Sequence, residues 1–458
     1  MAKPPLPSGL AVPSKRLARL WHLGRATGDL AAGVGWRGLI ELARSGDGEM
    51  NRIRLSPERT QRFTDRLARM RGAAMKMGQL MSLDGSDIFS PEAAAIMASL
   101  RDRAQPMPLG QVNQVLSSEL GADWDKRFRR FNFTPIAAAS IGQVHEAETR
   151  DGRHLAIKIQ FPGVRESIDS DLDNFAFLGQ TLGLAPRRVN LEPILTLARR
   201  QLHQEADYLA EADALDAYGA LIGDDPDLLV PKVHRDLSST RVLAMDFAAG
   251  IPVDQLTGPA FRQVERDRAA TLLVRLLLRE LFDFALVQTD PNFSNFLYQA
   301  ETRKLVLLDF GATERIASTL VGYYRQMMQA SVSGDTEAVR QCALALGYLD
   351  PDAAPEQAAG VAELIALTGE PLRHAGLYDF GASDLFERIF VGGRELFYAD
   401  AFGRKPDPAT FFLHRKFVGT FMLCRRLRAR VDLNEVISCR LPSTPRKTGE
   451  SRSTESSS

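Results

Sequence analysis

The run Leu155-Ala156-Ile157-Lys158-Ile159-Gln160 sets one lysine in the middle of an apolar stretch. Its length and its isoleucines predict a strand buried in a sheet. An ammonium at such a position is costly unless a carboxylate neutralises it. The fold must therefore deliver an acid to Lys158. The segment RRQLHQEADYLAEADAL reads as helix and offers Glu205, Asp207 and Glu211. Helical spacing puts Asp207 and Glu211 on one face and turns Glu205 about 200° from Asp207, to face elsewhere. Glu211 is assigned to Lys158.

The surroundings of Lys158 extend the constraint. AAASIGQVHEAETRDGRHLAIKIQ reads as a hairpin turned at Asp151-Gly152. It sets Gly142 sixteen residues before the lysine. A glycine-containing loop leading through a hairpin to a strand lysine is how kinases grip the α and β phosphates of a nucleotide. Farther on, TDPNFSNFLYQ carries Asp290 and, five residues later, Asn295; Asp309 of LVLLDFGAT lies fourteen residues beyond that. Kinase catalytic loops use an Asp, an Asn at this spacing and a downstream Asp-Phe-Gly. The second Asp and the Asn supply oxygen ligands to Mg²⁺, a hard cation, from the two ends of a short hairpin. The first Asp stands near the attacking oxygen. The tripeptide recurs in LYDFGAS at Asp379-Phe380-Gly381, but with no such partners upstream, so Asp379 reads as a loop acid.

Composition narrows the classes. A chain of 458 residues with 45% hydrophobic content has room for a sizeable core, and its net charge of +0 supplies no global field for nucleic acid. Cys342, Cys424 and Cys439 are scattered, which points to a reducing compartment and against a zinc ribbon or disulfide scaffold. No window approaches the roughly 18 uncharged apolar residues of a membrane span. The richest, ATLLVRLLLRELFDFALV, carries Arg275, Arg279, Glu280 and Asp283 and reads as a core helix with one polar edge. No signal-peptide core follows the start. Asp29 is the first acid, behind Lys3, Lys15, Arg16, Arg19 and Arg25, a bias that suits an organelle transit peptide or a membrane-surface helix. On a helix through KRLARLWHL, Lys15, Arg19 and His22 share one face and Leu17, Leu20 and Trp21 the other; it would dock on the protein's own core or on an anionic membrane.

Helices are predicted over 56–84, in PEAAAIMASLRDRA, in VNQVLSSELG up to Gly121, across most of 166–222, and through most of the chain after Leu256. Strand begins near Phe131, and VLAMDFAAG adds another, with Met245 a nucleotide-contacting candidate. Other residues receive packing roles: His145 packs or hydrogen-bonds, His203 has no second histidine at metal-site spacing, Gly24 and Gly28 are too ordinary a pair to indicate a dimer, and Trp21 and Phe293 pack.

Several motifs together resemble the UbiB (AarF-domain) atypical kinase-like family, whose members support coenzyme Q biosynthesis. They are the Lys-x-Gly-Gln of AAMKMGQL (Lys76, Gly78, Gln79), the alanine-rich AAAS (Ala137, Ala138, Ala139, Ser140), the Glu-x-Asp of QEADY (Glu205, Asp207), Lys158 with Glu211, TDPNFSN and DFG. The resemblance runs over about residues 15 to 320 and implies an α+β, atypical protein-kinase-like two-lobed fold with a helical N-terminal extension and a predominantly helical C-lobe. The division expected is a flexible tail (1–14), the extension (15–130), an N-lobe with a helical insertion (131–248), a C-lobe (249–440) and a disordered tail (441–458).

The departures from protein kinases matter. Ala137, Ala139 and Gly142 stand where a kinase has three glycines, and alanine resists positive φ, so the loop must cover phosphates differently. No Ala-Pro-Glu or long activation loop follows DFG. The resemblance implies that the helix bearing Lys76 and Gln79 folds over the site to meet Glu205 and Asp207. It further implies an ATPase or a small-molecule or lipid kinase using ATP (or ADP) and Mg; a non-catalytic nucleotide-gated scaffold for lipid-modifying enzymes is the alternative, and a protein kinase, disfavoured by the missing substrate platform, is the third reading. Ala137 to Ser140, Gly142, Lys158 and Met245 would hold nucleotide, Asn295 and Asp309 the metal, and Asp290 would act on the acceptor. Implied partners are an isoprenoid or quinone-precursor lipid or other small acceptor, coenzyme Q biosynthesis proteins and an anionic membrane surface, with a homodimer left open. The expected location is cytoplasmic, peripheral on the inner membrane, on the matrix side in a eukaryote. Unlike some bacterial relatives, the chain has no C-terminal transmembrane pair.

Overall fold

The computed structural model describes residues 106–181, 192–398 and 408–438. These group into two compact units, one running to Val253 and resuming over Gln288–Thr313, the other comprising Asp254–Val287 and the residues from Glu314 onward.

The first unit opens with α1 (Leu109–Leu120), which buries Val112, Val115, Leu116 and Leu120 along one stripe. Gly121, at φ 95, ends it. Strands β1 (Phe128–Phe131), β2 (Ala137–Ala138), β3 (Gly142–Thr149), β4 (His154–Gln160) and, after three helices, β6 (Val242–Asp246) form an antiparallel sheet in the order β1-β3-β4-β6, with β2 paired to β3. The β3–β4 turn passes through Gly152 at φ 90, a backbone conformation that glycine adopts freely. Strand β3 alternates between buried and half-buried residues, whereas β4 is buried from Leu155 to Gln160. The register aligns Val144, Lys158 and Leu243 across the middle of the sheet. Helix α1 packs on β4.

Helices α2 (Val164–Thr181), α3 (Glu192–Glu205) and α4 (Tyr208–Ile222) lie between β4 and β5 (Leu228–Leu229). Strand β7 (Ile251–Pro252) and the hairpin of β8 (Phe296–Gln299) and β9 (Lys304–Leu307) join β5 in a second sheet, ordered β5-β9-β8-β7. The hairpin register runs from Lys304 opposite Gln299 to Leu307 opposite Phe296. Its open end carries Asn295 on one side and Leu308-Asp309 on the other.

The second unit is mostly helical. Helix α5 (Gln263–Arg279) begins where the Glu265 side chain accepts the Arg262 N–H at 2.7 Å, and it buries an unbroken run from Leu276 to Leu278. It continues as a π-turn over Glu280–Phe284, closed by Ala285 in the left-handed region at φ 48. Helices α6 (Ser318–Ser333), α7 (Thr336–Ala345), α8 (Pro355–Leu367), α9 (Leu385–Tyr398) and α10 (Pro408–Arg426) follow, and β10 (Leu377–Asp379) pairs with β11 (Arg430–Asp432). The second Asp-Phe-Gly falls here. Asp379 is exposed and accepts the N–H groups of Gly381 and Ala382 at 2.9 and 3.1 Å, while Phe380 packs edge-on against Phe421 at 5.1 Å. Its carboxylate closes a turn. No helix among the described residues is long and apolar enough to cross a membrane.

The polar edge of α5 ends in a buried ion pair, with Lys416 Nζ on α10 2.9 Å from Glu280 Oε2 and side-chain exposures of 2% and 1%. Removing one partner leaves the other charge in an apolar setting, at about 3–5 kcal/mol, whereas replacing both by apolar groups is far milder. Lys416→Met is therefore expected to lower the denaturant midpoint strongly, and Lys416→Met/Glu280→Leu to recover most of it, in a double-mutant cycle followed by circular dichroism.

Candidate active site

Strand β4 points Lys158 at the start of α4. Nζ donates to both Glu211 carboxylate oxygens, at 2.7 and 2.9 Å, with 9% and 0% of the two side chains exposed. A third oxygen, Asp309 Oδ2, stands 3.7 Å from the same nitrogen. Burial disfavours the ammonium, but the Asp309 and Glu211 carboxylates outweigh it and hold Lys158 well above its ordinary pKa. Lys158 is charged at neutral pH.

The helix carrying Glu211 is not the continuous one that the periodicity suggests. Helix α3 ends at Glu205, and α4 restarts at Tyr208 because Asp207, at φ −113 and ψ 89, caps it by accepting the Ala210 N–H at 3.2 Å. Asp207 and Glu211 thus do not share the face of one uninterrupted helix, and Arg165 lies 3.9 Å from the Asp207 carboxylate. Glu205 does not face elsewhere. Its Oε2 accepts the Ser140 hydroxyl at 2.7 Å, and a Cβ placed on Gly311 would meet its Cγ at 3.3 Å. Glu205 therefore joins the alanine-rich loop to the Asp-Phe-Gly segment. The sequence signal for the break was the aspartate itself, a preferred N-cap.

In that loop Ala137 and Ala138 are exposed on β2, and the Ala139 N–H donates to the Gly142 carbonyl at 2.9 Å. No described alanine of the loop has positive φ. Gly142 leaves no space for a side chain, since a Cβ there would stand 2.4 Å from the Ile159 carbonyl oxygen and 2.7 Å from the Tyr208 hydroxyl. Met245 lies opposite Ala156 on the sheet face that carries Lys158. His145 is buried, stacked on Phe131, and hydrogen-bonded through Nδ1 to the Asn132 carbonyl at 2.8 Å and through Nε2 to Gln143 at 2.7 Å. Burial lowers its pKa, against the hydrogen bond to Asn132.

The second sheet supplies the remaining groups. The Leu308 N–H donates to the Asn295 carbonyl at 3.0 Å, so Asn295 sits across the hairpin mouth from the residue before Asp309. Asn295 Nδ2 and Gln288 Nε2 both donate to the Asp290 carbonyl, at 2.9 and 2.8 Å. Thus Asp290 and Asn295 are tied together, and the Asn295 amide oxygen is turned away from that bond. Asp309 Oδ1 accepts the Gly311 N–H at 3.0 Å. Phe310 is buried against Tyr218 of α4 at 4.6 Å between ring centroids. Composition and spacing gave no indication of this contact or of Tyr208 beneath the loop. Lys76, Gly78 and Gln79 lie outside the described residues.

This donor set fits a divalent cation. One ammonium faces Glu211 and Asp309, and Glu205 lies against Gly311, so carboxylates outnumber the lysine. The Asp309 carboxylate and the Asn295 amide are oxygen ligands of the kind a hard cation prefers.

The family profile of the ABC1 atypical kinase-like domain matches residues 99–343, more than half of the chain and all of the described site residues above. The chain belongs to the ABC1 atypical kinase-like family. Among its relatives in this ABC1 (UbiB) family, the Rattus norvegicus protein named atypical kinase COQ8B, mitochondrial, is 38% identical over 432 residues, covering 93% of this chain and 80% of that protein. Atypical kinase COQ8, mitochondrial, of Saccharomyces cerevisiae is 35% identical over 427 residues, covering 92% and 84%. Rv3197 of Mycobacterium tuberculosis, solved with erythromycin, superposes with a TM-score of 0.58 at 23% identity, over 83% of this chain and 95% of its own, a likeness of fold alone. The ABC1 assignment makes this a kinase-like enzyme of the ATP-dependent phosphotransferase type, with an α+β fold.

Ser140→Ala removes one charge-assisted hydrogen bond to Glu205, a loss of about 1–2 kcal/mol at a half-buried site. Amide exchange at Ala139 to Gly142 is expected to accelerate roughly tenfold by mass spectrometry, while α1 exchanges as before.

Proposed function

We propose that the chain is an Mg²⁺-dependent ATPase, or an atypical kinase of small molecules or lipids, that supports coenzyme Q biosynthesis. The observation that carries this reading is the Lys158 ammonium held by Glu211 and approached by Asp309 within 3.7 Å. Lys158 orients the α and β phosphates, covered by Ala137 to Ser140 and Gly142 with Met245 on the adjoining strand. Asn295 and Asp309 hold the cation. Held by these two side chains, a divalent cation would supply positive charge against the charge that grows on the phosphate in the transition state. Asp290 positions the acceptor hydroxyl or water and takes up its proton. Lys76, Gln79, Glu205 and Asp207 close the site. Most of the rate comes from positioning and charge neutralisation.

The acceptor class favoured is an isoprenoid or quinone-precursor lipid, reached peripherally at an anionic inner-membrane surface together with coenzyme Q biosynthesis proteins. Two relatives are themselves named mitochondrial. A nucleotide-gated scaffold is the second reading, favoured by the alanines where kinases use glycine. The presence together of Lys158, Asp290, Asn295 and Asp309 speaks against it, because a non-catalytic scaffold needs none of them.

ATP hydrolysis measured with Mg²⁺ and anionic liposomes is expected to fall at least a hundredfold in Asp309→Asn. Wild-type rates in that variant would end the proposal, and nucleotide-dependent partner binding without turnover would favour the scaffold.

A further inference from the structure

Tyr208 is the first residue of α4 and is fully buried, yet its hydroxyl has no hydrogen-bond partner among the described residues. A buried phenol normally finds one, because an unsatisfied hydroxyl is destabilising where a phenylalanine would not be. The surroundings of this hydroxyl are those of the nucleotide grip. The ring lies under Lys158, with Nζ 5.1 Å from its centroid, close enough for a cation–π contact. The hydroxyl lies against Gly142, where an added Cβ would approach within 2.7 Å. Asp207, immediately before it, caps the helix that brings Glu211 to the same ammonium.

We propose that Tyr208 is a nucleotide-positioning residue, whose ring carries the Lys158 ammonium and whose hydroxyl is a donor kept for the anionic phosphate that this ammonium grips. The inference rests on the nucleotide-binding reading and adds a residue to it. Gly142 lies over the hydroxyl, and the loop beside it is held by the Ser140–Glu205 hydrogen bond and by the Ile141 carbonyl, which accepts the Phe161 N–H at 2.9 Å. The phosphate meets the hydroxyl when that loop lifts. This accounts for tyrosine over phenylalanine at a site where the hydroxyl otherwise only destabilises.

The test uses the full chain, wild type and the variants Tyr208→Phe and Tyr208→Leu. MgATP affinity is read by calorimetry, thermal stability without nucleotide by melting, and turnover by steady-state kinetics. Tyr208→Phe is expected to melt at or above the wild-type temperature, to bind MgATP about tenfold more weakly, and to raise KM with little change in kcat. Tyr208→Leu, which also removes the ring under the ammonium, is expected to lose further affinity and to lower kcat. Wild-type affinity in Tyr208→Phe would overturn the role of the hydroxyl while leaving the nucleotide site standing. Equal affinities in the Phe and Leu variants would overturn the role of the ring. Absence of MgATP binding by the wild-type chain would overturn the nucleotide reading and this inference together.

Discussion

One buried ion pair organises the first unit. Lys158 sits on a strand that is buried from Leu155 to Gln160 and could not be stable there as a bare cation. Glu211 meets it with two hydrogen bonds under 3 Å, which requires α4 to start at a defined point and to lie against the sheet at a defined height. The Asp207 cap fixes that start. The same geometry brings Tyr208 beneath the ammonium and Tyr218 against Phe310. Lys158, Glu211, Gly142 and the Asp-Phe-Gly segment are thus positioned by one helix.

The second sheet answers the first. Its hairpin holds Asn295 and Asp309 at one mouth through the Leu308–Asn295 hydrogen bond, and Asp309 reaches back to Lys158. Charge then accumulates in one sign. A lysine shared among acids is the balance expected of a place where a nucleotide arrives with its own cation, because either charge alone would be poorly matched. Glu205 adds to this by linking Ser140 to Gly311, which makes the alanine-rich loop and the Asp-Phe-Gly segment neighbours through one carboxylate.

Much of this was legible in the sequence where local chemistry and long-range need agreed. The β3–β4 hairpin followed from the Asp151-Gly152 turn, and a lysine in LAIKIQ demanded an acid. The first of the two Asp-Phe-Gly tripeptides was distinguished from the second by upstream partners, and the second proves to be a turn closed by Asp379. What periodicity concealed was the interruption at Ala206-Asp207. A run of helix-favouring residues reads as one helix, and angular bookkeeping across a break misdirects every side chain on the far side of it. That is why Glu205 was expected to face away, when it faces the loop. Tyr208 and Phe310 were illegible for another reason. Their importance lies in contacts with residues far off in the chain, which spacing does not encode.

On the proposed function, Lys158 and the Asn295–Asp309 oxygens hold one nucleotide–cation pair. Calorimetric titration of ATP with and without Mg²⁺, into wild type and Lys158→Met, tests it most directly. The account predicts a single site per chain whose affinity rises at least tenfold with Mg²⁺, and its loss in Lys158→Met. Affinity indifferent to Mg²⁺, or retained in full without the lysine, would contradict it.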